Sequence, residues 1–140
     1  MAEMYLVDTS AWVFALRRTP NQAILRRIDA LFDEGTIATC GLIELELLQG
    51  AVNPQEFARL EARLSGPRRL ATEEGDWKAA ARLAYSLRRV GITAGSTDLL
   101  LATVAMRNGA ILLHADRDFD LVAAHTPLRA ESLVELVSGS

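Results

Sequence analysis

Residues 110–125, "AILLHADRDFDLVAAH", decide how this chain is read. The apolar run "AILLHA" has the length and composition of a buried strand, and "DRDFDLVAAH" those of a short helix. A strand that passes directly into a helix is the repeating unit of an α/β fold. Asp116, Asp118 and Asp120 stand at alternate positions of that junction. Like charges share so small a space only where a cation joins them, unless they lie on a solvated helix start.

The same step recurs along the chain. "MYLVDTS" reads as a strand, Tyr5–Val7, ending at Asp8, with Thr9 or Ser10 capping the helix "AWVFALRR". "NQAILRRIDALFDEG" has apolar residues at helical spacing and stops at Gly35. "TIATC" is a second β-like run, and "GLIELELLQGA" a helix closing near Gly50. "NPQEFARLEARL" is a helix with Asn53 as cap and Pro54 in its first turn. "RRLATE" is a brief third strand, and "TEEGDWKAAARLAYSLRRVG" a long helix to Gly91. Ser96 or Thr97 then caps a helix running to Gly109, and "PLRAESLVELV" ends in a strand stub and a helix. The expected class is α/β: a three-layer α/β/α sandwich with a mostly parallel central sheet whose strands are apolar on both faces. With no repeat, linker or composition break, residues 1–140 read as a single domain.

Composition narrows the function classes. Half of the 140 residues are hydrophobic, enough for one buried core and too many for a disordered chain. No segment is long enough to cross a bilayer, and "MAEMYLVD" lacks the basic region and apolar core of a signal peptide, so a cytoplasmic location is expected. The single cysteine, Cys40, excludes an internal disulfide and a cysteine-type zinc site, and reads as a buried, inert thiol. His114 and His125 have no partner at ligand spacing. A net charge of −3 does not mark a nucleic-acid binder. Yet 14 of the 15 basic residues are arginine. Eight stand in pairs: Arg17-Arg18, Arg26-Arg27, Arg68-Arg69 and Arg88-Arg89. Arginine grips phosphate with a fork of donors, although a solvated helix face accounts for any one pair equally well.

In a parallel sheet, ligands bind beyond the carboxyl ends of the strands. Asp8 and Asp116 fall there, and Asp98 lies in the first turn of a helix that follows a loop. Each acid alone is explained by the helix dipole. Glu44 and Glu46, set among leucines, are not: two positions apart on a helix is about 200°, so they point nearly opposite ways. At most one is comfortably solvated, and the other needs a partner. Periodicity leaves the choice between them open.

Taken in order, "VDTSAW", "ELLQG", "STDLLLATVAMRNGAILL" and "ADRDF" resemble the PIN domain, and more narrowly the VapC toxin ribonucleases of bacterial toxin–antitoxin pairs. The resemblance spans essentially the whole chain. Carried over residue by residue, the family's acids fall on Asp8, Glu46 (the glutamate four before the glycine), Asp98 and Asp116, and Asp118 matches a further acid found in part of the family. Ser10, or Thr9, matches the hydroxyl after the first acid. His114 stands where relatives often carry Thr or Ser, and Asp120 matches nothing and reads as solvated helix face.

The resemblance implies Mg²⁺ or Mn²⁺, the hard cations that oxygen ligands suit. Asp8, Asp98 and Asp116 would be ligands, Asp118 a further one, and Glu46 would act directly or through water, with Ser10 orienting a carboxylate or water. A metal-activated water would cut RNA, expected to be structured RNA such as tRNA or rRNA, and leave a 5′-phosphate and a 3′-hydroxyl. The resemblance also implies a VapB-type antitoxin, whose C-terminal segment would occupy the site groove, and a homodimer. "NQAILRRIDALF" would suit either a dimer surface or the core. Setting the five site acids aside leaves the remaining surface slightly positive, so arginine pairs become a plausible rim for RNA. Trp12 reads as core, and Trp77 is open to base stacking. The alternatives are a PIN-like nuclease of DNA or RNA processing without a toxin role, and a binding module without catalysis. A phosphoacceptor receiver fits less well, because the only lysine, Lys78, lies in a long helix.

Overall fold

The structure, a computed structural model, describes residues 3–137. The elements run β1 (Tyr5–Val7), α1 (Thr9–Leu16), α2 (Gln22–Glu34), β2 (Ile37–Cys40), α3 (Gly41–Leu48), α4 (Pro54–Leu64), β3 (Arg68–Leu70), α5 (Glu74–Arg89), α6 (Ser96–Arg107), β4 (Ile111–His114), α7 (Arg117–Ala124), β5 (Ala130–Ser132) and α8 (Val134–Val137). The sheet order is β3-β2-β1-β4-β5, and every pairing is parallel. Tyr5 lies opposite Ile37 on one side and Ile111 on the other, which places the ends of β1 and β4 level.

From β1 the chain steps outward to β2 and β3, then returns to the other side of β1 for β4 and moves out to β5. Right-handed crossovers put the helices of these two excursions on opposite faces of the sheet, α1–α4 on one and α5–α7 on the other. The strand order therefore reverses between β1 and β4, where a parallel sheet opens a crevice at its carboxyl edge. Asp8 follows β1 and Asp116 follows β4, so the topology brings these two distant acids together.

The three central strands are almost wholly buried. The edge strands depart from the expectation of two apolar faces. Arg68 and Arg69 of β3 are exposed, as is Ser132 of β5. Each edge strand has one neighbour, and exposed charge on an edge discourages pairing with another chain. Trp12 is fully buried, its ring edge-on to Phe32 at 6.2 Å between centroids. Ile24, Ile28 and Leu31 of α2 are buried in the same core, which assigns that helix's apolar face to the interior of the fold. Cys40 is buried, and burial pushes its thiol up.

Two helix starts differ from the sequence reading. The cap of α1 is Asp8 itself, not Thr9 or Ser10, because its carboxylate accepts from the Ser10 backbone N–H. Neither Ser96 nor Thr97 caps α6; Gly95 holds that position without a side-chain bond. Asn53 does cap α4, accepting from Glu56 N at 2.8 Å. Gly35 ends α2 with φ +70°, a conformation that costs a glycine little. Among the described residues, no helix is long and apolar enough to cross a membrane.

Candidate active site

Asp8 leaves β1 only 5% exposed. Its Oδ2 accepts from the Ser10 N–H at 3.0 Å and from the Ser10 hydroxyl at 2.5 Å. The same Ser10 oxygen accepts from Ala115 N at 2.9 Å. Ser10 therefore ties the end of β4 to the end of β1 and fixes one oxygen of Asp8. Burial pushes the Asp8 carboxyl above the usual carboxylate range, against the pull of the Ser10 bonds.

The two glutamates of α3 part company. Glu46 Oε1 accepts from the Thr9 hydroxyl at 2.8 Å, which holds it beside Asp8 at the start of α1. Glu44 pairs with Arg69 of β3 instead. Both are half-buried, and it is Leu45 between them that faces solvent.

Asp116 caps α7, its Oδ1 accepting from Asp118 N at 2.9 Å. Asp98 sits in the first turn of α6. Asp98, Asp116 and Asp118 each offer a carboxylate oxygen within 4.8 Å of the other two. The Asp98 carboxyl is pushed up to about 6, first by burial and then by the negative charges of Asp8, Asp116, Glu46 and Asp118. The other four acids assigned to the site from the sequence thus all act on Asp98 at the β1–β4 crevice. Among the described residues, no basic side chain forms an ion pair with any of the five. An all-oxygen donor set with uncompensated negative charge fits a hard divalent cation, which needs only one or two direct carboxylates and keeps its waters.

His114 supports this edge from within. It is fully buried, against the Phe119 ring, and its Nδ1 accepts from Asp116 N at 3.2 Å. The imidazole is therefore neutral with its proton on Nε2, and burial holds its pKa below the ordinary value. Asp120 is exposed as expected, yet it is not merely solvated: its Oδ1 lies 3.4 Å from His114 Nε2. The sequence marked His114 only as a departure from a pattern. Its bond to Asp116 N follows from the i, i+2 spacing across the strand end, which periodicity does not reveal.

Each of the four arginine pairs has one member engaged elsewhere. Arg17 stacks on Phe14, Arg27 chelates Glu131 at 2.8 and 2.9 Å while lying over Tyr5, Arg69 holds Glu44, and Arg89 covers Tyr85. Trp77 is exposed on α5.

With this geometry in hand, comparison with known proteins is informative. Residues 5–125 match the model of the PIN domain. The chain is 39% identical over 132 residues to VapC ribonuclease Mb1587 of Mycobacterium bovis, covering 92% of this chain and 98% of that protein. The chain is a PIN-domain protein of the VapC family. A second VapC relative, ribonuclease VapC51 of Mycobacterium tuberculosis, is 32% identical over 127 residues, 90% of each chain. In three dimensions, this VapC-family chain superposes on a chain of VapBC2 from Rickettsia felis, solved bound to a DNA fragment from their promoter. The TM-score is 0.78 at 22% identity, with 92% and 98% of the two chains covered. A chain of DNA-bound VapBC from Salmonella typhimurium gives 0.78 at 19% identity, covering 94% and 98%. These likenesses confirm the PIN-type fold.

Proposed function

We infer that this chain is a metal-dependent endoribonuclease and the toxin of a VapBC-type toxin–antitoxin pair. One observation carries the reading: Asp98, Asp116 and Asp118 bring carboxylate oxygens within 4.8 Å of one another at the strand-order switch, near Asp8 and Glu46 and with no ion-pair partner among the described residues, and burial together with the neighbouring charges pushes the Asp98 carboxyl up to about 6. The relatives named VapC ribonuclease support RNA as substrate, and the VapBC complexes among the structural neighbours support a VapB-type antitoxin as partner. Structured RNA and a homodimeric state belong to the same proposal.

Asp8, Asp98 and Asp116 would hold Mg²⁺ or Mn²⁺, with Asp118 as a further ligand and Glu46 reaching the site directly or through water. When bound, such an ion screens the phosphate charge and lowers the pKa of a water. The chain's own groups set the stage for this. Ser10 fixes Asp8 through Oδ2, with both its backbone N–H and its hydroxyl. Thr9 fixes Glu46, and His114 holds the Asp116 backbone. Buried against Phe119 and bonded to the Asp116 backbone N–H, His114 serves as a positioning residue. Hydrolysis would leave a 5′-phosphate and a 3′-hydroxyl.

The test is brief expression of the parent and of Asp98→Asn, followed by sequencing of cellular RNA ends. The parent should create new 5′-phosphate ends and arrest growth, and the variant should lose at least about a hundredfold of this cleavage. Co-expression with the neighbouring gene product should suppress both effects. Unchanged cleavage in Asp98→Asn overturns the site assignment, and cleavage of single-stranded DNA in preference to RNA would favour the reading without a toxin role.

A further inference from the structure

The acidic site attracts cations, so a polyanionic substrate must be held by positive charge elsewhere. The helix that opens the site also leads to such charge. Thr9 and Ser10, in the first turn of α1, hold Glu46 and Asp8. Arg17 and Arg18, immediately after its last residue, line a cleft of about 630 Å³ together with Arg59 and Arg63 of α4 and Leu25 of α2. Four arginines and one acid, Glu56, line it.

Not all of this charge is committed to the fold. Arg63 bonds Asp29 and lies over Phe32, and Arg17 donates to the Thr19 carbonyl and stacks on Phe14. Arg18 and Arg59 are exposed, and among the described residues neither side chain has a hydrogen bond, an ion pair or a ring contact. Two side chains with forked donors, flanked by two anchored ones, form a recognition surface for phosphate. An eight-residue helix is about 12 Å long. A stacked single strand covers that length in about four nucleotides.

We propose that the cleft between the α1–α2 connection and α4 is a phosphate track that holds the RNA strand whose scissile bond lies over the acids. This rests on the ribonuclease reading. Contacts of this kind give affinity and little sequence choice. Each phosphate contact contributes about 0.7 to the slope of log affinity against log salt for a single strand.

The experiment measures binding of fluorescent oligouridylate to Asp98→Asn protein in Mg²⁺ across a salt series. The comparison is with the same protein carrying Arg18→Ala and Arg59→Ala, after thermal melting has checked that both fold. The double substitution should weaken binding at least about tenfold at low salt and reduce the slope by about 1.4. Arg18→Lys with Arg59→Lys should keep most of the slope, since charge is retained, while losing part of the affinity. An unchanged affinity and slope in the alanine variant, in a protein that binds and whose parent cleaves RNA, overturns the track and leaves the nuclease intact. Loss of affinity for the co-expressed partner protein with RNA binding unchanged also overturns it, and makes the cleft a protein groove. If the parent neither binds nor cuts RNA, the ribonuclease reading itself has failed.

Discussion

Two aspartates of this molecule, Asp98 and Asp76, carry the same carboxyl group in opposite surroundings. Asp76, 2% exposed in the first turn of α5, receives Arg107 Nε at 2.8 Å and a second Arg107 nitrogen at 3.0 Å. Arg107 also holds Glu73 and the Ala71 carbonyl, so one guanidinium locks the start of α5 to the end of α6. This guanidinium holds the Asp76 carboxyl below the usual carboxylate range, whereas burial without such a partner, and then four like charges, push Asp98 up to about 6. A compensated acid fastens the fold; a concentration of uncompensated acids weakens it and is kept for what it can capture.

Exchanging the two roles is the sharpest test of that contrast. Asp116→Asn should cost at least about a hundredfold in RNA cleavage with little loss of stability in chelator. Asp76→Ala should retain cleavage at low temperature but lose about 2–3 kcal/mol, because it strands Arg107, and so melt about 10 °C lower. If Asp76→Ala instead abolishes cleavage while melting normally, the division between fastening and capturing acids is wrong.

A smaller effect separates the two acids by pH. The Asp98 carboxyl has an ordinary value of 3.8 and is raised to about 6, so between these values the folded chain holds a proton that the unfolded chain has released. Its contribution to stability is therefore lost as pH rises through that window. In chelator, Asp98→Asn should melt above the parent at about pH 7, and the gap should close below about pH 4. Adding Mg²⁺ should raise the parent's melting point more at neutral than at acid pH, since protonated carboxyls bind cations poorly. Asp76 has the opposite sign: its contribution is present above the ordinary carboxylate pKa and is lost as pH falls through its lowered one. The least effect is expected at Glu44. Glu44→Gln should change stability by about 0.5 kcal/mol and leave cleavage near the parent's, while Glu46→Gln should lower it; equal losses would place both glutamates in the site.

The parts legible from sequence are those in which local pattern and topology agree. Asp8 and Asp116 stand out because apolar runs stop at them, and parallel strands put such positions at one edge. Glu44 and Glu46 could not be told apart by periodicity, because α3 is covered on both flanks and turns Leu45 outward. Family resemblance selected Glu46, and the Thr9 and Arg69 contacts give the physical reason. Helix caps were misplaced at α1 for an instructive reason. A Ser or Thr beside an Asp leaves three candidate caps, and here the Asp takes the bond. The Asp76–Arg107 lock had no local sign at all, since its partners are 31 residues apart and neither belongs to a repeated pattern. The same holds for Asp120 and the imidazole it faces, a contact made only once α7 folds back over β4.

The strand order has a further consequence during synthesis. β4 inserts beside β1 although β2 and β3 precede it in the chain. A polypeptide interrupted before Ile111 owns Asp8, Glu46 and at most Asp98, and leaves one edge of β1 bare. Partial products would thus lack part of the carboxylate set and expose a bare strand edge, so the crevice is completed only once β4 has emerged and paired with β1.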